Sequence, residues 1–178
     1  GRWHAAQTKS ARGAASGSRN SSFCWCAHEG PGHLGCRHSP LGRRLLARLA
    51  AISGVAPERA ESPQLLRYGP GEHYSTHHDQ ANGRNASSAS GGRMLTLLVY
   101  LAEGQDGGAT RFPDLALAIQ PRLGRGLLWP NCKEDLRTVE DRTLHAAEPV
   151  RSGFKYAMNL WLHYSEWDRA PDAVRRAL

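Results

Sequence analysis

Three histidines and an aspartate fall within the short stretch YGPGEHYSTHHDQ, residues 68–80. His77 and Asp79 are two positions apart, so in an extended strand both side chains leave the same face while His78 leaves the other. An imidazole and a carboxylate projecting together make two of the three ligands of the 2-His-1-carboxylate facial triad, which holds Fe(II) and leaves coordination positions open. The third ligand has to be a histidine on a later strand. His145, in RTLHAAEP, has that setting, and His163, near the end of the last strand, is its competitor. An H-x-D tripeptide alone is a weak signal; the residues downstream give it weight.

Ten positions after His145 comes Lys155, in SGFKYAMNLWLHY. Period-two alternation puts Lys155, Ala157, Asn159 and Trp161 on one face of this strand and Tyr156, Met158, Leu160 and Leu162 on the other. A lysine opening an apolar strand ordinarily sits at its solvent edge. Turned inward, it needs an anionic partner, because an unpaired buried ammonium is costly. A dicarboxylate cosubstrate supplies one, so the constellation asks for iron plus 2-oxoglutarate.

Such residues meet only on a framework that brings distant strands together. After residue 62 the chain breaks into short apolar or alternating runs at 64–68, 73–79, 94–101, 117–120, 126–129, 143–148 and 154–164, an all-β texture. Ahead of them Ser39 and Pro40 open a helix as N-cap and first residue, and Gly54 ends it. Leu41, Leu45, Leu49 and Ile52 form its expected apolar stripe, with Leu46 beside it and Arg43, Arg44 and Arg48 facing away. The expected fold is mainly β with flanking helix (α+β): a double-stranded β-helix, or jelly roll, buttressed by the N-terminal helix. Loops at 82–92 and 130–141 are candidate lids.

At 178 residues the chain fits one domain. Residues 1–17 read as a mobile or edge segment, and 18–178 as a single domain with its core at about 64–164. No apolar run is long enough for a membrane span, and a start at Gly1-Arg2 without methionine reads as a processed form or a fragment. A net charge of +7 permits nucleic acid, an anionic surface or an anionic small ligand. The arginines are scattered, with no basic run interleaved with aromatics, which disfavours nucleic acid. Four cysteines are too few for a disulfide scaffold. Cys24, Cys26 and Cys36 with His28, His33 and His38 match no standard zinc spacing; a disulfide from Cys36 to Cys24 or Cys26, or free thiols, is preferred to a zinc site. Nothing in the sequence sets the oligomeric state.

The blocks LLRYGPGEHYSTHHD, RMLTLLVYLAEGQDGGATRFP, IQPRLGRGLLW and TLHAAEPVRSGFKYAMNLWLH, with SRNSS at 18–22 as a weaker extension, resemble the 2-oxoglutarate- and Fe(II)-dependent dioxygenases, and within them the prolyl 4-hydroxylases. The likeness runs from about residue 64 to 164, with the blocks in the family's order. It implies that His77, Asp79 and His145 hold the iron and that Lys155 pairs with the far carboxylate of 2-oxoglutarate. Thr110 and Tyr68 match positions lining that carboxylate's pocket, although Thr110 could instead cap a turn and Tyr68 serve as core. Tyr74, Arg93 and Trp161 match positions near the substrate proline.

The activity so implied is hydroxylation of proline at C4 in a proline-rich polypeptide, consuming O2 and 2-oxoglutarate, releasing succinate and CO2, and drawing on ascorbate as reductant. The same chemistry on free proline or on a single proline of a cytosolic protein is the nearest rival, and a catalytically silent peptide-binding jelly roll the next. Two N-x-S sites, at Asn20 and Asn85, are compatible with the secretory pathway and endoplasmic reticulum, the cytoplasm being the alternative. Three features depart from the family's pattern: His78 stands where an aromatic is usual, the stretch after Asp79 is serine-rich, and WPNCKEDLRTVEDRTLH replaces the common lead into the distal histidine. All three bear on substrate identity and leave the iron chemistry intact.

Overall fold

The structure is a computed structural model that describes residues 3–5, 18–26, 39–80 and 91–167. Cys36, His28, His33, His38, most of the 82–92 loop and most of the 1–17 segment lie outside the described residues.

The strands are β1 (His4–Ala5), β2 (Ser22–Trp25), β3 (Gln64–Tyr68), β4 (Tyr74–His77), β5 (Arg93–Tyr100), β6 (Asp106–Gly107), β7 (Thr110–Phe112), β8 (Leu117–Ile119), β9 (Gly126–Pro130), β10 (His145–Ala147), β11 (Val150–Ser152) and β12 (Lys155–His163), with one α-helix, α1 (Pro40–Ser53), between β2 and β3. Every paired ladder is antiparallel. They form a six-stranded sheet in the order β1-β2-β3-β12-β5-β9, a four-stranded sheet in the order β4-β10-β7-β8, and a small β11-β6 pair. Between the two larger sheets lies a core of Leu66, Tyr68, Leu98, Tyr100, Phe112, Trp129 and Ala157. This is the expected helix-buttressed jelly roll. No helix among the described residues is long and apolar enough to cross a membrane.

The helix begins and ends where its capping residues put it. Ser39 accepts a hydrogen bond from the Gly42 amide at 3.0 Å, Pro40 occupies the first turn, and Gly54 closes the helix in the left-handed region at φ 71°. The buried face differs from the expected stripe. Leu46 and Leu49, with Leu45 partly covered, pack on Leu97, Met158, Leu160 and Leu162 of the six-stranded sheet, while Leu41 and Ile52 are 75% and 67% exposed. At about 100° per residue, Leu41 and Ile52 lie roughly a quarter turn off the seam that Gly42, Leu46 and Leu49 define. One layer of sheet covers only that narrower arc.

The longer strands of the six-stranded sheet, β3, β5, β9 and β12, lie close to where alternation put them. The short ones, β1, β2, β6, β7 and β11, gave no periodic signal. The 130–141 segment is braced internally, with Cys132 bridging to Val139 and Asp135 accepting from the Arg137 and Thr138 amides. It is tied to the body where the Asn131 amide donates to the Met94 carbonyl at 2.8 Å and Gln80 Nε2 donates to the Arg137 carbonyl at 3.3 Å. Cys24 and Cys132 are buried free thiols, and Cys26 is disulfide-bonded to a partner outside the described residues.

Candidate metal centre and cosubstrate pocket

The β4–β10 ladder sets His77 directly opposite His145, with a register shift between this pair and Ala147↔Tyr74. Such an irregularity re-aims side chains and is frequent beside active sites. Strand β4 stops at His77, so Asp79 lies in the bend after it rather than on the strand as expected. The turn nonetheless delivers the carboxylate: Asp79 Oδ1 is 3.6 Å from His77 Nε2, and Oδ2 is 3.7 Å from His145 Nε2. One ligand atom from each of the three residues lies within 4.8 Å of the others.

Both imidazoles are oriented by the backbone. His77 Nδ1 is 2.7 Å from the Ser75 carbonyl and His145 Nδ1 is 2.9 Å from the Thr143 carbonyl. A carbonyl only accepts, so each Nδ1 carries the proton and each Nε2 presents a free lone pair toward Asp79. Burial holds the His145 imidazole below its ordinary range against the pull of Asp79, favouring the neutral ring that binds metal. Burial opposes ionisation of Asp79, but His145, His77 and Arg93 outweigh it and keep the carboxyl well below the usual carboxylate range.

A relay that the sequence reading missed fixes the carboxylate. Thr96 donates to Asp79 Oδ2 at 2.7 Å, and Asn131 Nδ2 donates to Thr96 Oγ1 at 2.8 Å. Both residues are almost wholly buried. Thr96 was legible as a polar residue on the inner face of an otherwise apolar strand, whereas Asn131 sits just past β9 in a segment without periodicity.

His163 takes no part in this centre. Its Nε2 lies 2.8 Å from Glu61 Oε1 and its Nδ1 3.0 Å from the Gly91 carbonyl. Arg93 donates to the same Glu61 through Nε and Nη2 at 2.6 and 3.0 Å, and its guanidinium lies 3.7 Å from the centre of the Trp161 ring. Arg93 and Trp161 therefore pack together, and Arg93 Nη1 also donates to the Asp79 carbonyl at 3.5 Å. Tyr74 stacks on His77 at 3.6 Å, with the Arg19 guanidinium 4.8 Å from its ring. Arg19, in SRNSS, was not singled out by the sequence.

A cavity opens beside the histidines, bordered by Tyr68, Tyr74, His77, Thr110, His145 and Lys155. Lys155 is 2% exposed, with Nζ 5.0 Å and 5.5 Å from the Tyr68 and Tyr100 ring centres. It forms no ion pair among the described residues, and Glu148, whose field it feels, is itself paired with Arg111 at 3.1 Å. Burial lowers its pKa to about 7, Glu148 only partly opposing. Thr110 does not merely cap a turn: its hydroxyl accepts from Tyr100 at 2.8 Å inside the cavity wall. The residues fit what the sequence asked for. Two imidazoles whose Nε2 atoms face a carboxylate suit a divalent ion such as Fe(II), and a buried lysine on the same cavity suits a dicarboxylate.

Comparison with known proteins agrees with this geometry. The family model of the 2OG-Fe(II) oxygenase superfamily matches residues 63–163. The chain is 36% identical over 128 residues to prolyl 4-hydroxylase subunit alpha-2 of Gallus gallus, an alignment covering 70% of this chain and 23% of that protein. It is 36% identical over 130 residues to prolyl 4-hydroxylase subunit alpha-3 of Homo sapiens, covering 70% and 24%. The chain thus spans about a quarter of the length of these relatives. The crystal structure of viral collagen prolyl hydroxylase from Paramecium Bursaria Chlorella virus-1, in complex with 2OG, superposes with a TM-score of 0.59 at 31% identity, over 82% of this chain and 80% of that one. The chain belongs to the 2OG-Fe(II) oxygenase superfamily, as a prolyl 4-hydroxylase-like member of it.

Proposed function

We propose that the chain hydroxylates proline at C4 in a proline-rich polypeptide, with Fe(II) held by His77, Asp79 and His145 and 2-oxoglutarate anchored by Lys155. The observation that carries this reading is the convergence of the three ligand atoms at one end of a cavity whose far end is a buried lysine without a counterion among the described residues. Fe(II) with 2-oxoglutarate supplies the oxidising chemistry: one oxygen atom of O2 leaves in succinate as CO2 is lost, the other becomes the hydroxyl on proline, and ascorbate keeps the metal reduced.

The chain's own residues bind and aim. Thr110 and Tyr68 line the carboxylate end beside Lys155, and the walls of Leu66, Leu98 and Ala147 keep water from the cosubstrate's methylenes. Tyr74, stacked on His77 at the cavity wall, offers an aromatic surface for a pyrrolidine ring, suiting an extended polyproline II segment, while Arg93 and Trp161 pack on each other with Arg93 held by Glu61. Holding the ring within reach of the metal is the protein's main contribution to rate. The disulfide at Cys26 supports an oxidising compartment, and we place the protein on the secretory route.

Succinate release from 2-oxoglutarate with Fe(II) and ascorbate, measured with and without a proline-rich peptide, tests the proposal. Peptide-stimulated turnover, 4-hydroxyproline in the product, and loss of both in His145→Ala are expected. Turnover that no proline peptide stimulates would overturn the substrate assignment.

A further inference from the structure

Two buried polar atoms belonging to residues of the cavity wall have no hydrogen-bond partner: the indole Nε1 of Trp129 and the amide Oδ1 of Asn159. Unpaired buried groups of this kind are rare in folded proteins and are retained where something else satisfies them. Both residues come from the inner face of the six-stranded sheet, Trp129 pairing across from Thr96 and Asn159 from Leu98. The Trp129 ring is fixed in place, edge-on to His145 at 4.9 Å and to Phe112 at 5.3 Å. It therefore stands at the metal end of the cavity. Asn159 shares a face of β12 with Lys155 and lies further along the strand.

We propose that the Trp129 indole N–H and the Asn159 amide hydrogen-bond the 2-oxo acid end of the cosubstrate, the end nearest the metal, while Lys155 holds the far carboxylate. The inference rests on the 2-oxoglutarate reading above. An indole N–H is a donor only, so its guest must offer an oxygen, and a carboxylate is the strongest such acceptor. A side-chain amide carries its donor and acceptor at equal reach, so a half-turn of the Asn159 amide presents N–H to the same group. Together the two give the pocket polarity at both ends with apolar walls between. That pattern matches a five-carbon 2-oxo diacid and disfavours a monoacid.

The test uses the full chain loaded with Mn(II), which binds such sites without turning over, and titrates 2-oxoglutarate by calorimetry. Trp129→Phe keeps a ring against His145 and removes the N–H; Asn159→Leu removes the amide at similar volume. Each is expected to raise the 2-oxoglutarate Kd on the order of tenfold, the loss of one hydrogen bond to a charged acceptor, with Mn(II) affinity and melting temperature unchanged. Trp129→Phe alone decides the matter if Asn159→Leu does not fold. Kd values within about twofold of wild type in these variants, where Lys155→Met still abolishes binding, would overturn the inference and leave the dioxygenase reading standing. Unchanged binding in Lys155→Met would overturn both.

Discussion

His77 and His145 face each other across the β4–β10 ladder with ring centroids 4.3 Å apart, so a single strand pairing assembles two ligands from distant parts of the chain. With both Nδ1 protons committed to backbone carbonyls, the Nε2 lone pairs have no other task among the described residues than to meet Asp79 and a metal. His145→Ala and Asp79→Ala should each lose Fe(II) or Mn(II) binding in equilibrium dialysis while the chain remains folded by circular dichroism. Stoichiometric metal in either variant would remove the centre from this site.

Thr96 orients the carboxylate without touching the metal. Thr96→Val keeps the volume and strand propensity but removes the hydroxyl between Asn131 and Asp79, leaving a buried amide donor unpaired. The expected cost is about 1–3 kcal/mol of stability, read as a lower melting temperature, and roughly a tenfold weaker metal affinity. Asn131→Leu in the same background should recover part of the stability and none of the affinity, because it removes the stranded donor but not the loosened carboxylate.

Gly108 makes room for Lys155. Its φ is 73°, and a Cβ there would lie 3.0 Å from Val150 Cγ2 and 3.2 Å from Lys155 Cδ. Gly108→Ala should therefore cost about 1–3 kcal/mol through the left-handed backbone alone, and displace the lysine stem as well. The checking measurement is the KM for 2-oxoglutarate, expected to rise more than that for peptide.

The residues that face one another on regular strands were readable because alternation has period two. His77 and Asp79 were singled out by that spacing and Lys155 by the cost that an inward lysine would carry, whereas His145 was chosen for its strand-like setting and Tyr68 only through the family resemblance. Asp79 lies beside both histidines but in a bend rather than on a strand, since a two-residue spacing is satisfied by the bend as well as by a strand. Glu61 and Asn131 lie in non-periodic connections, and their importance comes from pairings with Arg93, His163 and Thr96 that exist only once β5, β9 and β12 are side by side. The helix face was misjudged for a related reason: periodicity reports which residues share a stripe, and how wide an arc is covered depends on the sheet beneath.

Glu61 is 1% exposed and joins Arg93 and His163, so it ties the start of β5 to the end of β12. Glu61→Gln would leave Arg93 buried without its counterion, at a cost of about 3–5 kcal/mol. Burial works against the carboxylate, yet Arg93 and His163 hold its pKa below the ordinary 4.5. A carboxyl depressed in the folded state contributes stability that is fully present above the unfolded pKa and is lost as pH falls through the folded value. Wild type should thus lose stability on acidification below about pH 4.5, and Glu61→Gln should show a shallower slope there in urea titrations at stepped pH.

Lys155 gives a pH dependence of the same sign in a higher window, and one that cosubstrate reverses. With its pKa lowered to about 7 by burial, the empty pocket holds a largely neutral amine at pH 8, whereas the unfolded chain holds a proton up to its ordinary 10.5. The unfolded state binds more protons across that interval, so this group makes the empty protein more stable as pH rises from about 7 to 10. A bound dicarboxylate favours the ammonium and raises the pKa again. Binding of 2-oxoglutarate to Mn(II)-loaded protein at pH 8 should therefore take up close to one proton, measured as a dependence of calorimetric enthalpy on buffer ionisation heat. Lys155→Arg, which stays charged, should bind with no such uptake. An uptake that survives in the arginine variant would assign the titration to another group.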